Sequence, residues 1–142
     1  MAIRMKIPKI AFVIPYQILN NGVMKPVTTV RVCKGEDVSL TLSVFLLDTS
    51  RGETYELATT ISALNSEDDI HKYIAKIKSL ARIDNPAVDL TNGQVMEIPL
   101  MFSTKHNDEA FYHIEVSIIS RDNPFLQRWN SARLILKVIV ED

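Results

Sequence analysis

The chain has 142 residues, 46% of them apolar and 23% charged, which suits one domain, residues 1–142, with a sizeable core and excludes a disordered tract or a fibre. Its 16 basic and 17 acidic side chains give a net charge of −1, so nothing predicts the clustered positive surface on which nucleic-acid binding depends. Cys33 is the single cysteine, which rules out an intramolecular disulfide and favours a reducing compartment, and no run reaches the ~18 apolar residues of a membrane-spanning helix.

The opening stretch MAIRMKIPKIAFVIPYQIL has a basic start and an apolar run. Pro8, Lys9 and Pro15 interrupt it, and no small-x-small cleavage site follows, so a cytoplasmic protein is expected rather than a secreted one. Ile10, Phe12, Ile14 and Tyr16 alternate with Ala11, Val13, Pro15 and Gln17, which predicts a first strand. Pro15 has no N–H to donate, so this strand belongs at an edge or carries a bulge. Asn20-Asn21-Gly22 is a turn signal, and Val27–Cys33 reads as a second strand with Val30 and Val32 on one face. Cys33, at the end of that apolar strand, reads as a small core residue.

After the break at Lys34-Gly35-Glu36, the stretch Asp37–Asp48 alternates with unusual regularity. Val38, Leu40, Leu42, Val44 and Leu46 share one parity, whereas Asp37, Ser39, Thr41 and Ser43 share the other. Only an extended strand converts a period of two into one apolar face and one wet face. The polar loop Thr49–Gly52 and the strand Glu53–Ile61 follow. A hairpin that sets Leu46 opposite Tyr55, Val44 opposite Leu57 and Leu40 opposite Ile61 would place inward residues against inward residues.

At Ser66 the pattern changes. Ser66-Glu67-Asp68-Asp69 offers an N-cap hydroxyl and carboxylates suited to a helix N-terminus. Ile70, Tyr73, Ile74, Ile77, Leu80 and Ala81 recur at spacings of three and four, and Asp84-Asn85-Pro86 ends the run. The spacing predicts an amphipathic helix over 66–83 that covers an end or a face of the sheet. Three more strands are predicted at Val95–Phe102, Ala110–Ser120 and Ala132–Val140, the inward residues of the last being Leu134, Leu136, Val138 and Val140.

About seven short alternating strands with polar turns indicate a mainly β protein, a two-layer antiparallel β-sandwich with the helix inserted between its fourth and fifth strands. Asp108-Glu109-Ala110-Phe111-Tyr112 resembles the D-x-[AG]-x-Y pattern of immunoglobulin-like domains. The resemblance implies that Tyr112 is a corner tyrosine bonded back to the chain and that Ile114 stands where such domains place their second disulfide cysteine. The chain departs from the pattern in having no disulfide pair and no tryptophan on the third core strand, and the predicted helix would be an insertion. The resemblance concerns the superfold and names no family or function within it.

No nucleophile–base pair, glycine-rich phosphate loop or H-E-x-x-H motif is present, so neither a catalytic site nor a cofactor is predicted. His106, Asp108, Glu109 and His113 are of metal-ligating type but lack the spacing that aims two imidazoles at one point, so no metal site is predicted. A metal- or small-ligand-binding enzyme using the His106-Asp108-His113 region is the alternative reading. The leading reading is a non-enzymatic module that binds another protein. Its first candidate surface is the ten-residue connection 121–130, where Arg121, Phe125, Leu126, Arg128 and Trp129, with Arg133 beyond, have the aromatic and arginine make-up of an interface. Phe125 and Trp129 could equally fold back and plug the end of the sandwich. Apolar residues on the outward parity, namely Val13, Phe45, Leu47, Ile119, Ile135 and Ile139, must be covered by the helix or by a second chain, which makes self-association an expectation.

Overall fold

The computed structural model describes residues 9–47, 54–64, 71–82, 94–104, 109–119 and 131–141. They form nine strands: β1 (Lys9–Ile18), β2 (Met24–Pro26), β3 (Thr29–Cys33), β4 (Asp37–Leu47), β5 (Thr54–Leu64), β6 (His71–Arg82), β7 (Gln94–Ser103), β8 (Glu109–Ile119) and β9 (Ser131–Glu141). The first sheet has the order β2-β1-β4-β7 and the second the order β3-β9-β8-β5-β6. The alternation seen in Asp37–Asp48 is realised, for Val38, Leu40, Leu42, Val44 and Leu46 are all buried. They meet Ile98, Leu100 and Phe102 of β7 and, from the second sheet, Leu57, Tyr112, Ile114, Val116, Leu136 and Val138 in one core. The period of two thus predicts the inner faces of β3, β4, β7, β8 and β9 correctly.

The turns follow from glycine. Gly22 has φ +82° in the turn after β1, closed by the Leu19 N–H to the Val23 carbonyl at 2.8 Å. Gly35 has φ +89° between β3 and β4, where the Glu36 N–H donates to the Cys33 carbonyl at 3.0 Å. Both lie in the left-handed region that a side chain disfavours.

Several expectations are corrected. Residues 71–82 form strand β6, not a helix, paired antiparallel with β5 from Thr54↔Arg82 to Leu64↔His71. In the strand Ala75, Ile77 and Ala81 share a parity and Leu80 lies on the other, with Ile77 opposite Thr59 and packed on the core. Without β6 one side of β5 would present a row of unpaired amides and carbonyls, and pairing that edge outweighs the helical pattern. No helix is present among the described residues. The strand count rises from seven to nine because β2 and β6 join the seven predicted.

The hairpin between β4 and β5 does not form: β4 pairs with β1 and β7, while β5 pairs with β6 and β8. Inward residues match across any even register, so alternation alone could not tell a neighbour in one sheet from a strand in the facing sheet. The sandwich is not wholly antiparallel either. β3 runs parallel to β9, from Thr29↔Lys137 to Cys33↔Glu141, and an ion pair of 2.7 Å from Arg31 to Glu141 spans the same edge. Cys33 is exposed and free rather than buried, because Val30 and Val32 take the inner parity and leave the cysteine outside.

Thr59 is the polar exception on the inner face of β5. It is fully buried between Val116 and Ile77, and its hydroxyl has no hydrogen-bond partner. Thr59→Val keeps the shape and removes the desolvated hydroxyl, so stability should rise by about 1 kcal/mol in urea unfolding. A loss of stability would mean that the hydroxyl is satisfied in solution.

Candidate functional site

Pro15 and a bulge together determine what the first sheet shows to solvent. β1 pairs Ile10 with Leu46 and then Phe12 with Phe45, so the strand holds one residue more than its partner and its parity reverses. Ile10 and Val13 pack on the core, while Phe12 and Ile14 are turned outward. This corrects the expectation that Ile10, Phe12 and Ile14 share a face and that Val13 lies outside. Only Tyr16–Ile18 of β1 are paired with β2, so the proline-containing part lies at the sheet's edge, as its missing N–H requires.

The register lays out the outer face in rows across β1, β4 and β7. Phe12, Phe45 and Val95 form one row; Ile14, Ser43 and Glu97 the next; Tyr16, Thr41 and Pro99 the third, with Pro26 of β2 beside Tyr16. Ile18 beside Met24, and Ser39 beside Met101, close the far end. Phe12 and Phe45 stack with ring centroids 4.1 Å apart. Phe12, Ile14, Ile18, Met24, Leu47, Val95 and Met101 are each 36–64% exposed. The face therefore has a ridge of large apolar residues on β1, a second line on β7 in which Glu97 interrupts Val95, Pro99 and Met101, and the hydroxyl stripe Ser39, Thr41 and Ser43 on β4 between them.

Tyr16 lies across this stripe and is only 3% exposed. Its hydroxyl approaches Ser43 and Glu97 without a hydrogen bond of full geometry. Burial, opposed in part by Ser43 and reinforced by the Glu97 carboxylate, raises its pKa above the ordinary tyrosine value, so the hydroxyl keeps its proton at physiological pH.

The outer face of the second sheet differs in character. Thr60, Ser62, His113, Glu115 and Arg133 line a shallow polar depression, with Arg133 bridged to Glu115 at 3.0 Å. Ile135 is exposed there, whereas Phe111 has the Lys137 ammonium 5.8 Å from its ring centre.

Of the residues singled out in the sequence, Arg133 lies on β9 beside Glu115, and His113 lies on the outward face of β8 opposite Ser62. Arg121, Phe125, Leu126, Arg128 and Trp129 fall outside the described residues, as do His106 and Asp108. Among the described residues no group of three His, Cys, Asp or Glu side chains is gathered as a metal would require. The apolar face of the first sheet was legible only in part, through Phe45 and Leu47; the rest depends on the bulge and on β7 lying beside β4.

The pairing β1-β4-β7 against β9-β8-β5 reproduces the two sheets of the immunoglobulin sandwich. The chain is an immunoglobulin-like β-sandwich. It is similar to a bacterial adhesin from Mobiluncus mulieris that contains intramolecular disulfide, isopeptide and ester cross-links, with TM-score 0.58 and 11% identity over 94% of this chain and 57% of that one. It is also similar to a CARDB domain from Pyrococcus furiosus determined in complex with di-metal ions, with TM-score 0.47 and 10% identity over 99% and 100% of the two chains. The chain thus spans little more than half of the adhesin chain. No protein-family model matches it, and no curated protein matches it in sequence. Identities this low establish the fold alone.

Proposed function

We propose that the chain is a non-enzymatic binding or assembly module whose contact surface is the outer face of the first sheet. The observation that carries this reading is the concentration of exposed apolar side chains on that one face, from Phe12 and Val95 at one end to Ile18, Met24 and Met101 at the other. Single exposed apolar residues are ordinary, but a contiguous patch on a stable domain is a contact surface. An adhesin built on the same fold is in keeping with a module that works by contact rather than by chemistry.

The test is recovery of bound protein, further copies of the chain included, by wild type, by Phe12→Ser/Val95→Ser and by Phe125→Ala/Trp129→Ala. Circular dichroism and the urea midpoint verify that each variant is folded. The face variant should lose at least ~10-fold in recovery. Loss confined to the Phe125 and Trp129 variant would move the contact surface to the 121–133 region. Absence of any bound protein with wild type would sink the reading.

A further inference from the structure

We infer that the occupant of this face is a second copy of the chain, packed sheet on sheet about a two-fold axis that runs along β4. The inference rests on the contact surface proposed above. It begins with area. Seven side chains each 36–64% exposed, at roughly 170 Å² apiece when fully exposed, present about 600 Å². The Phe45, Pro26 and Pro99 rings bring the face close to the roughly 800 Å² that each partner contributes to a stable interface.

The arrangement of the face is also self-complementary. Rotation about β4 sets β1 of one copy on β7 of the other, row against row: Phe12 meets Val95, Tyr16 meets Pro99 and Ile18 meets Met101, while Ile14 meets Glu97, whose carboxylate lies near the Tyr16 hydroxyl of its own copy. Ser39 and Thr41 then meet their own images, while Ser43 is buried beneath Tyr16. A hydroxyl both donates and accepts, so Ser39 and Thr41 can satisfy themselves against their images. Aligned sheet packing is the geometry in which both ridges make contact along their length. With a net charge of −1, two copies do not repel appreciably. Among the described residues the outer face of the second sheet offers no such match, since its depression is polar and its Glu115–Arg133 pair is already made.

The test is sedimentation of the purified chain up to about 200 µM. The expected species is a dimer of about 32 kDa, twice the 16.1 kDa of one chain. Phe12→Asp and Val95→Lys should each weaken the dimer at least ~100-fold, whereas Ile135→Ser on the second sheet should leave it unchanged. An equimolar mixture of Phe12→Asp and Val95→Lys should recover association, because the axis sets the new carboxylate of one copy on the new ammonium of the other and leaves the second Phe12–Val95 contact intact. Failure of the mixture to associate, with both variants folded, overturns the axis. A dimer lost with Ile135→Ser but kept with Phe12→Asp overturns the face. A wild-type monomer throughout the range overturns the inference; the proposed function survives that result if the monomer still binds another protein through the face, and falls with it otherwise.

Discussion

Tyr112→Ala should cost about 3–5 kcal/mol of folding stability, a large part of the 5–15 kcal/mol that holds a domain of this size together. Tyr112 is fully buried on the inner face of β8 and is among the largest side chains enclosed in the core. Its ring packs against Phe102 of β7 with centroids 5.0 Å apart and a tilt of 56°, so it joins the two sheets rather than filling a gap within one. Ile114 and Ile118 on the same strand cannot swing into the space, because each is buried against its own neighbours. Truncation therefore leaves a cavity spanning both sheets. Urea unfolding with the slope held constant measures the loss, and Tyr112→Phe separates the ring from the hydroxyl that the immunoglobulin resemblance expects to be bonded. A loss below about 1 kcal/mol for Tyr112→Ala would mean that the ring does not bridge the sheets.

The second large effect distinguishes strand from helix in residues 71–82. Ile77→Asp should destabilise the domain by about 2–4 kcal/mol, and Leu80→Asp by less than about 1 kcal/mol. Ile77 stands opposite Thr59 at an inward position and packs on the core, whereas Leu80 stands opposite Glu56 on the other parity. In an amphipathic helix the two residues, three apart, would share the apolar stripe and suffer alike. Equal losses in thermal or urea unfolding would therefore count against β6. Unequal losses in the stated order follow from a period of two.

The sequence resolves Ile77 and Leu80 poorly because one edge strand of mixed composition fits either period. Its real determinant lies outside the segment, in the open edge of β5 that β6 closes. The expected hairpin fails for a related reason. Leu46 opposite Tyr55 and Val44 opposite Leu57 is a consistent register, yet β4 and β5 lie in different sheets, and Val44 and Leu57 share the core instead of a strand pairing. The bulge after Ile10 is invisible in a strand that alternates without interruption, and it alone turns Phe12 and Ile14 to solvent and Val13 to the core. The candidate face is for that reason seen incompletely in the sequence, where Phe45 and Leu47 stand out but Val95 and Met101 do not.

By itself the sequence determined the local and periodic features: the inner faces of β4, β7, β8 and β9, the glycine turns at Gly22 and Gly35, the outward place of His113, and a β-sandwich of immunoglobulin type. Those depend on side-chain alternation and on backbone angles, both written into a few adjacent residues. Tertiary structure alone decided which sheet each strand joins, that residues 71–82 are extended, that β3 runs parallel to β9, and that the apolar residues of β1 and β7 form one face. Alternation states which side of a strand is buried but not which strand lies beside it, and that choice is settled only when every edge and face of the sandwich competes for the same partners.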